Sequence, residues 1–149
     1  MKIYIAGKMR GLANFGFDKF DMAKARAEAL GHEAVSPADL DRAMGFEGMG
    51  KSGSDVEWDA GAKQEIIKRD IEALLNCDAI ALLPGWETSS GSQVELALAL
   101  FLELPILDAV KFEPLNATLL SATLIPVNPT AFKAAQQGVR EAARERSGQ

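Results

Sequence analysis

An α/β fold with a mostly parallel central sheet between two helical layers is what this sequence predicts, on three observations. Short apolar runs alternate along the chain with longer segments whose apolar residues recur at helical spacing. The strand candidates are almost continuously apolar, as in Ala79-Ile80-Ala81-Leu82-Leu83, which marks a parallel sheet covered on both faces. With 149 residues, 48% apolar and 25% charged, the chain is sized for one domain with a complete core.

Each element follows from its residues. Lys2 to Ala6 alternates into a first strand that turns at Gly7. Phe15 to Leu30 reads as a helix, with Phe20, Ala23, Ala27 and Leu30 on its apolar side and Gly31 as its cap. A second strand, Glu33 to Val35, leads into Ser36-Pro37, and the glycine-rich segment Ala43 to Gly61 reads as a long flexible loop. A helix over Ala62 to Asn76, a strand over Asp78 to Leu83, a helix over Ser92 to Leu102 and a strand over Pro105 to Leu107 complete the alternation. Beyond Lys111 the pattern weakens to an extended stretch around Pro126 and Pro129 and an amphipathic helix over Thr130 to Arg146. The expectation is one domain over residues 1–149, with an insertion at 43–61 and a C-terminal extension at 126–149.

Composition excludes several classes of function. A net charge of −5 argues against nonspecific binding to nucleic acid polymers or anionic membranes. Cys77 is the single cysteine and His32 the single histidine, so neither an internal disulfide nor a zinc site is expected, and no cofactor is called for. His32, directly after the helix cap, reads as a surface or packing residue, and Cys77 as a small buried one. No apolar run reaches membrane-spanning length and the first strand is too short for a signal peptide, so the expected location is cytoplasmic.

Two loops carry candidate chemistry. Pro84-Gly85-Trp86-Glu87-Thr88-Ser89-Ser90-Gly91-Ser92-Gln93-Val94-Glu95 ends a strand and opens a helix, placing hydroxyls and unpaired N–H groups where an anion would sit. Ser92-x-x-Glu95 also fits a capping box, in which Glu95 would be purely structural. The first strand ends in Gly7-Lys8-Met9-Arg10-Gly11, which is neither a P-loop nor a dinucleotide fingerprint. Gly7 allows close backbone approach, and the Arg10 fork suits phosphate oxygens. In a parallel sheet both loops open on one edge, where they would cradle a phosphate. Asp70, at the end of the run Ala62 to Arg69, adds a second carboxylate, while Asp78 reads as a tie for nearby backbone N–H groups. Trp86 either stacks on a nucleobase or packs over the sheet edge. Trp58, with Asp55 and Asp59, reads as a solvent-facing loop residue ahead of the alternative, part of a lid.

Four features together resemble the nucleoside 2-deoxyribosyltransferase family, most closely its branch of 2'-deoxynucleoside 5'-monophosphate N-glycosidases. They are Tyr4-Ile5-Ala6-Gly7-Lys8-Met9-Arg10-Gly11, Asp70 with Asp78 eight residues later, Ser89-x-Gly91-x-x-x-Glu95, and Leu120-Ser121-Ala122-Thr123, in order over roughly residues 2 to 124. The resemblance implies a flavodoxin-like or Rossmann-like three-layer sandwich. It implies Glu95 as nucleophile on the anomeric carbon, Asp70 as the acid assisting departure of the base, and Tyr4 as the residue orienting the nucleophile. It also implies Arg10, Ser89 and Gly91 as phosphate binders, with Gly7 to Met9 closing around the same group, and Ser121 as a serine given to the neighbouring subunit's phosphate. The implied assembly is therefore a homodimer with shared sites.

The sequence departs from that branch in specific places. Lys8 stands where the branch usually carries serine, the turn Pro84 to Glu87 is about one residue longer, and segment 43–61 has no counterpart. Ser89 stands where transferases acting on unphosphorylated nucleosides carry an aspartate, which would repel a phosphate. The implied chemistry needs Glu95 ionised and Asp70 protonated near neutral pH.

Overall fold

Four strands, β1 (Lys2–Ala6), β2 (Glu33–Val35), β3 (Ala79–Leu82) and β4 (Ile106–Asp108), form one sheet in the order β2-β1-β3-β4, with every pair parallel. The computed structural model describes residues 1–46, 60–118, 120 and 148. The chain divides into two compact units, Met1–Ala117 and Thr118–Gln149, and the sheet with its helices belongs to the first. Ser121, Trp58, Asp55, Asp59, most of segment 43–61 and the expected C-terminal helix lie outside the described residues.

Side-chain alternation divides the strands between two helical layers. Ile3, Ile5, Ala79, Ala81 and Leu107 pack in one core with Phe17, Phe20 and Ala23 of α1 (Phe17–Ala29) and Ala38 of α2 (Pro37–Ala43). Tyr4 pairs in register with Ile80, so both point to the opposite face. That face is covered by α3 (Ala60–Leu75) and α4 (Ser90–Phe101), which bury Leu74, Leu96 and Ala99. The expected three-layer α/β architecture is the one observed, with the strand order of a flavodoxin-like fold.

The differences from the sequence reading have local causes. α1 begins at Phe17 rather than Phe15, because Asn14, Phe15 and Gly16 all have positive φ and cannot continue a right-handed helix. Gly31, at φ +83°, caps it as expected, with the Gly31 N–H donating to the Glu28 carbonyl and the His32 N–H to that of Ala27. Leu30, expected on the apolar side, is exposed. Ser36-Pro37, into which the second strand was expected to lead with no helix following, starts α2 with proline in the first turn, where its missing N–H costs nothing. At the two ends of the segment expected as a loop, α2 runs to Ala43 and α3 starts at Ala60. Asp78 ties β1 to β3: Lys2 N–H donates to its Oδ2 at 2.7 Å and its own N–H to the Lys2 carbonyl at 2.7 Å.

Candidate active site

Strand order places the site. β1 is joined through α1 to β2 on one side, while β3 leads through α4 to β4 on the other, so their carboxyl ends flank a topological switch point. The loops that leave there approach closely. A Cβ built on Gly7 would lie 2.8 Å from Leu83 Cδ1 and 2.9 Å from Leu83 Cβ, so only glycine fits where β1 passes the end of β3.

A cavity of about 400 Å³ opens at this junction. Gly7, Lys8, Met9 and Arg10 line it from the β1 loop, and Ser89 and Gly91 from the start of α4. Asp70 of α3 and Glu95 of α4 line it as well, so the two carboxylates singled out in the sequence share one cavity. Tyr4 rises beneath it from the centre of the sheet. Fully buried, Tyr4 donates its hydroxyl to Glu95 Oε1 at 2.7 Å, and Glu95 itself is only 9% exposed.

That bond decides the reading of Glu95. The N-cap of α4 is Ser89, whose Oγ accepts from the Ser92 N–H at 3.3 Å and from the Ser92 hydroxyl at 3.1 Å. Ser92 lies inside the helix, so the Ser92-x-x-Glu95 capping box does not form. The Glu95 carboxylate is turned inward to Tyr4 instead.

Two expected binding residues stand elsewhere. Trp86 sits in a short 3-10 turn, Trp86–Thr88, is 7% exposed and is not among the residues lining the cavity; it packs in the body rather than standing ready for a base. Gly11 is a turn residue at φ +81° outside the lining, supporting the loop by its backbone conformation. Residues not foreseen from sequence also line the cavity, among them Lys63, Ile66, Ile67 and Ile71 of α3 and Val94 of α4. Their 3–4-residue spacing on α3 could have marked one helix face, but a helix face alone does not say what it faces. Among the described residues, no group of three or more His, Cys, Asp or Glu side chains is placed to hold a metal ion. Among the same residues no helix is long and apolar enough to cross a membrane.

A family model described as a domain of unknown function, DUF4406, matches residues 1–108. The chain belongs to the DUF4406 family. The match contains the whole lining of the cavity, from Gly7 to Glu95, and Tyr4 beneath it. Among solved structures, this DUF4406 chain is similar to a 2-deoxyribosyltransferase from the psychrotolerant bacterium Bacillus psychrosaccharolyticus. The two share 19% identity, over 72% of this chain and 70% of that one, with a TM-score of 0.51, a likeness of fold. No curated protein matches the sequence.

The electrostatics of the DUF4406 site reverse one expectation. Burial pushes the Glu95 carboxyl up to about 8; the Tyr4 bond opposes this and the charge of Asp70 adds to it. Asp70 is also raised by burial, with a contribution from Asp41, but the Arg69 guanidinium holds it to about 6. Glu95, expected to be the readily ionised member, is therefore the more basic of the two. The cause is tertiary: Asp70 has a cation beside it, and Glu95 has a neutral phenol.

Proposed function

We propose that this protein hydrolyses the N-glycosidic bond of a 2'-deoxynucleoside 5'-monophosphate, releasing free base and deoxyribose 5-phosphate. The observation that carries the reading is the buried Glu95 carboxylate, held by Tyr4 at 2.7 Å in the cavity that Asp70 also lines. The name of the structurally similar protein, a 2-deoxyribosyltransferase, supports a deoxyribosyl substrate.

Each group has a role that its chemistry allows. A Glu95 oxygen forms a bond to the anomeric carbon as the bond from that carbon to the base nitrogen breaks, and Asp70 passes its proton to the departing base. Water then attacks the same carbon and gives its proton to Asp70, which frees Glu95. The Tyr4 hydroxyl keeps the nucleophile aimed and stabilises its anion. Arg10, Lys8, the Ser89 hydroxyl and the N–H groups of Ser90 and Gly91 hold the 5'-phosphate, whose binding energy is remote from the reacting bond and positions it. Ser89 in place of an aspartate leaves that end of the cavity free of a repelling carboxylate.

The reacting form has Glu95 ionised and Asp70 protonated, so with carboxyls near 8 and 6 it is a minor species of the free enzyme. A bell-shaped kcat/KM with limbs near those values follows. Base exchange is the second reading, favoured by the transferase activity in the neighbour's name; it differs only in a free base replacing water at the second step. A nucleotide-binding protein without turnover is the reading these assays would leave if no base appeared.

We infer a cytoplasmic homodimer in which Ser121 reaches the neighbour's phosphate. Exposed apolar side chains on α4, Val94 and Phe101, and on α3, Ile67 and Leu75, support a second copy as partner. Incubation with each deoxynucleoside monophosphate, followed by detection of free base, tests the hydrolase. Addition of a second free base separates hydrolysis from transfer, and light scattering of the full chain tests the dimer.

A further inference from the structure

Arg69 precedes Asp70 on α3, and consecutive helix positions point roughly 100° apart, so such neighbours do not ordinarily meet. Here they do. Arg69 Nε and Nη2 both donate to Asp70 Oδ1, at 2.9 and 2.6 Å. The guanidinium is also held by α2 and the residue that caps it: Nη2 lies 2.8 Å from Asp41 Oδ1, and Nη1 donates to Met44 Sδ at 3.0 Å. All three charged side chains are largely sheltered, with Arg69 20%, Asp41 13% and Asp70 15% exposed. Asp70 Oδ2 has no hydrogen-bond partner among the described residues. A smaller cavity of about 90 Å³, lined by Asp41, Arg69 and Asp70 together with Arg10, adjoins the main one.

We propose that Arg69, clamped by Asp41, is a positioning residue that immobilises Asp70 through Oδ1 and leaves Oδ2 as the oxygen that carries the proton to the departing base. The role of Asp70 in that statement rests on the function proposed above; the clamp itself does not. Without Asp41, the long Arg69 side chain loses what turns it back along the helix, and its rotamer freedom favours solvent. The clamp thus makes α2, an element remote from the reacting bond, a determinant of the protonation of Asp70. The other charged or titratable groups around Asp70 are Glu95 from α4, Tyr4 from β1, Lys8 and Arg10 from the β1 loop, and Lys63 from α3 itself. Glu95 and Tyr4 cannot replace a cation, and the guanidinium that meets Asp70 Oδ1 is that of Arg69.

The clamp makes opposite predictions from simple charge effects at Asp41. As a bare anion, Asp41 raises the Asp70 carboxyl, so Asp41→Asn would lower it. As the holder of Arg69, it indirectly lowers the carboxyl, so Asp41→Asn would raise it. The experiment is a carbon NMR titration of Asp70 in the full chain, its signal assigned by Asp70→Asn, for the wild type, Arg69→Ala, Arg69→Lys and Asp41→Asn. The expected midpoints are near 6 in the wild type, higher by about one unit or more in Arg69→Ala, intermediate in Arg69→Lys, and higher in Asp41→Asn. An unmoved midpoint in Arg69→Ala, or a lowered one in Asp41→Asn, overturns the proposal. Should Arg69→Ala fail to fold, Arg69→Lys and Asp41→Asn decide. With active protein, the acid limb of kcat/KM moves upward with the midpoint and kcat falls about tenfold or more while KM changes little. A wild type that releases no base overturns the hydrolase reading alone, since the titration needs no turnover.

Discussion

Tyr4 and Glu95, 91 positions apart in sequence, meet in one buried hydrogen bond of 2.7 Å between the centre of the sheet and the first turns of α4. The bond joins the fold to the site, because the strand register that buries Tyr4 also sets where its hydroxyl ends. Tyr4→Phe keeps the packing and deletes the donor. The Glu95 carboxyl should then move further above about 8, and kcat should fall about tenfold to a hundredfold with the fold intact by circular dichroism. Wild-type kcat in this variant would remove Tyr4 from the orienting role.

Stability should carry the mark of Glu95 with a definite sign. Its carboxyl is raised from 4.5 to about 8 on folding, so the folded chain keeps a proton that the unfolded chain releases within that window. Stability from this group is fully present below 4.5 and is lost as pH rises through about 8. Glu95→Gln removes the loss. In urea unfolding, the variant should be the more stable protein at pH 8.5 by on the order of 4 kcal/mol, with little difference at pH 4.5. An equal difference at both values would contradict the burial of an isolated carboxyl.

Gly7→Ala should damage the junction of β1 and β3. The added Cβ would meet Leu83 at 2.8 and 2.9 Å, and one of those atoms is the Leu83 Cβ, which no rotamer change can move. A loss of about 1–3 kcal/mol and a raised KM for monophosphates are expected from the backbone shift. Unaltered unfolding and kinetics would mean that the loop has room that the geometry denies.

Substrate choice should turn on Ser89. Aspartate is as good an N-cap as serine, so Ser89→Asp should preserve α4 while placing a carboxylate at the phosphate end. The ratio of kcat/KM for monophosphate over nucleoside should fall by about a hundredfold or more. Arg10→Ala should act in the same direction, raising KM for monophosphates far more than for nucleosides. Equal effects on both substrates would remove the phosphate anchor.

Much of this was legible in the sequence where short-range chemistry decides. The apolar runs located all four strands within one or two residues, and Gly31 ended α1 because only a left-handed residue closes it. Glu95 itself remained open, since Ser92-x-x-Glu95 satisfied a local rule that the structure does not use; the cap is Ser89. Arg69 and Asp41 were not legible at all. Their meeting depends on α2, a helix not expected after Ser36-Pro37, and on a helix neighbour turning toward Asp70. The order of the two carboxyls failed for the same reason: burial and the Arg69 fork are properties of the packed chain. Trp86 was ambiguous because an aromatic residue serves equally as core and as base platform; it is core.

The most direct measurement is mass spectrometry of peptides from protein quenched in acid during turnover of a deoxynucleoside monophosphate. A deoxyribose 5-phosphate adduct is expected on the peptide carrying Glu95, absent in Glu95→Ala, which also releases no base. An adduct on Asp70, or base release by Glu95→Ala at the wild-type rate, would contradict it.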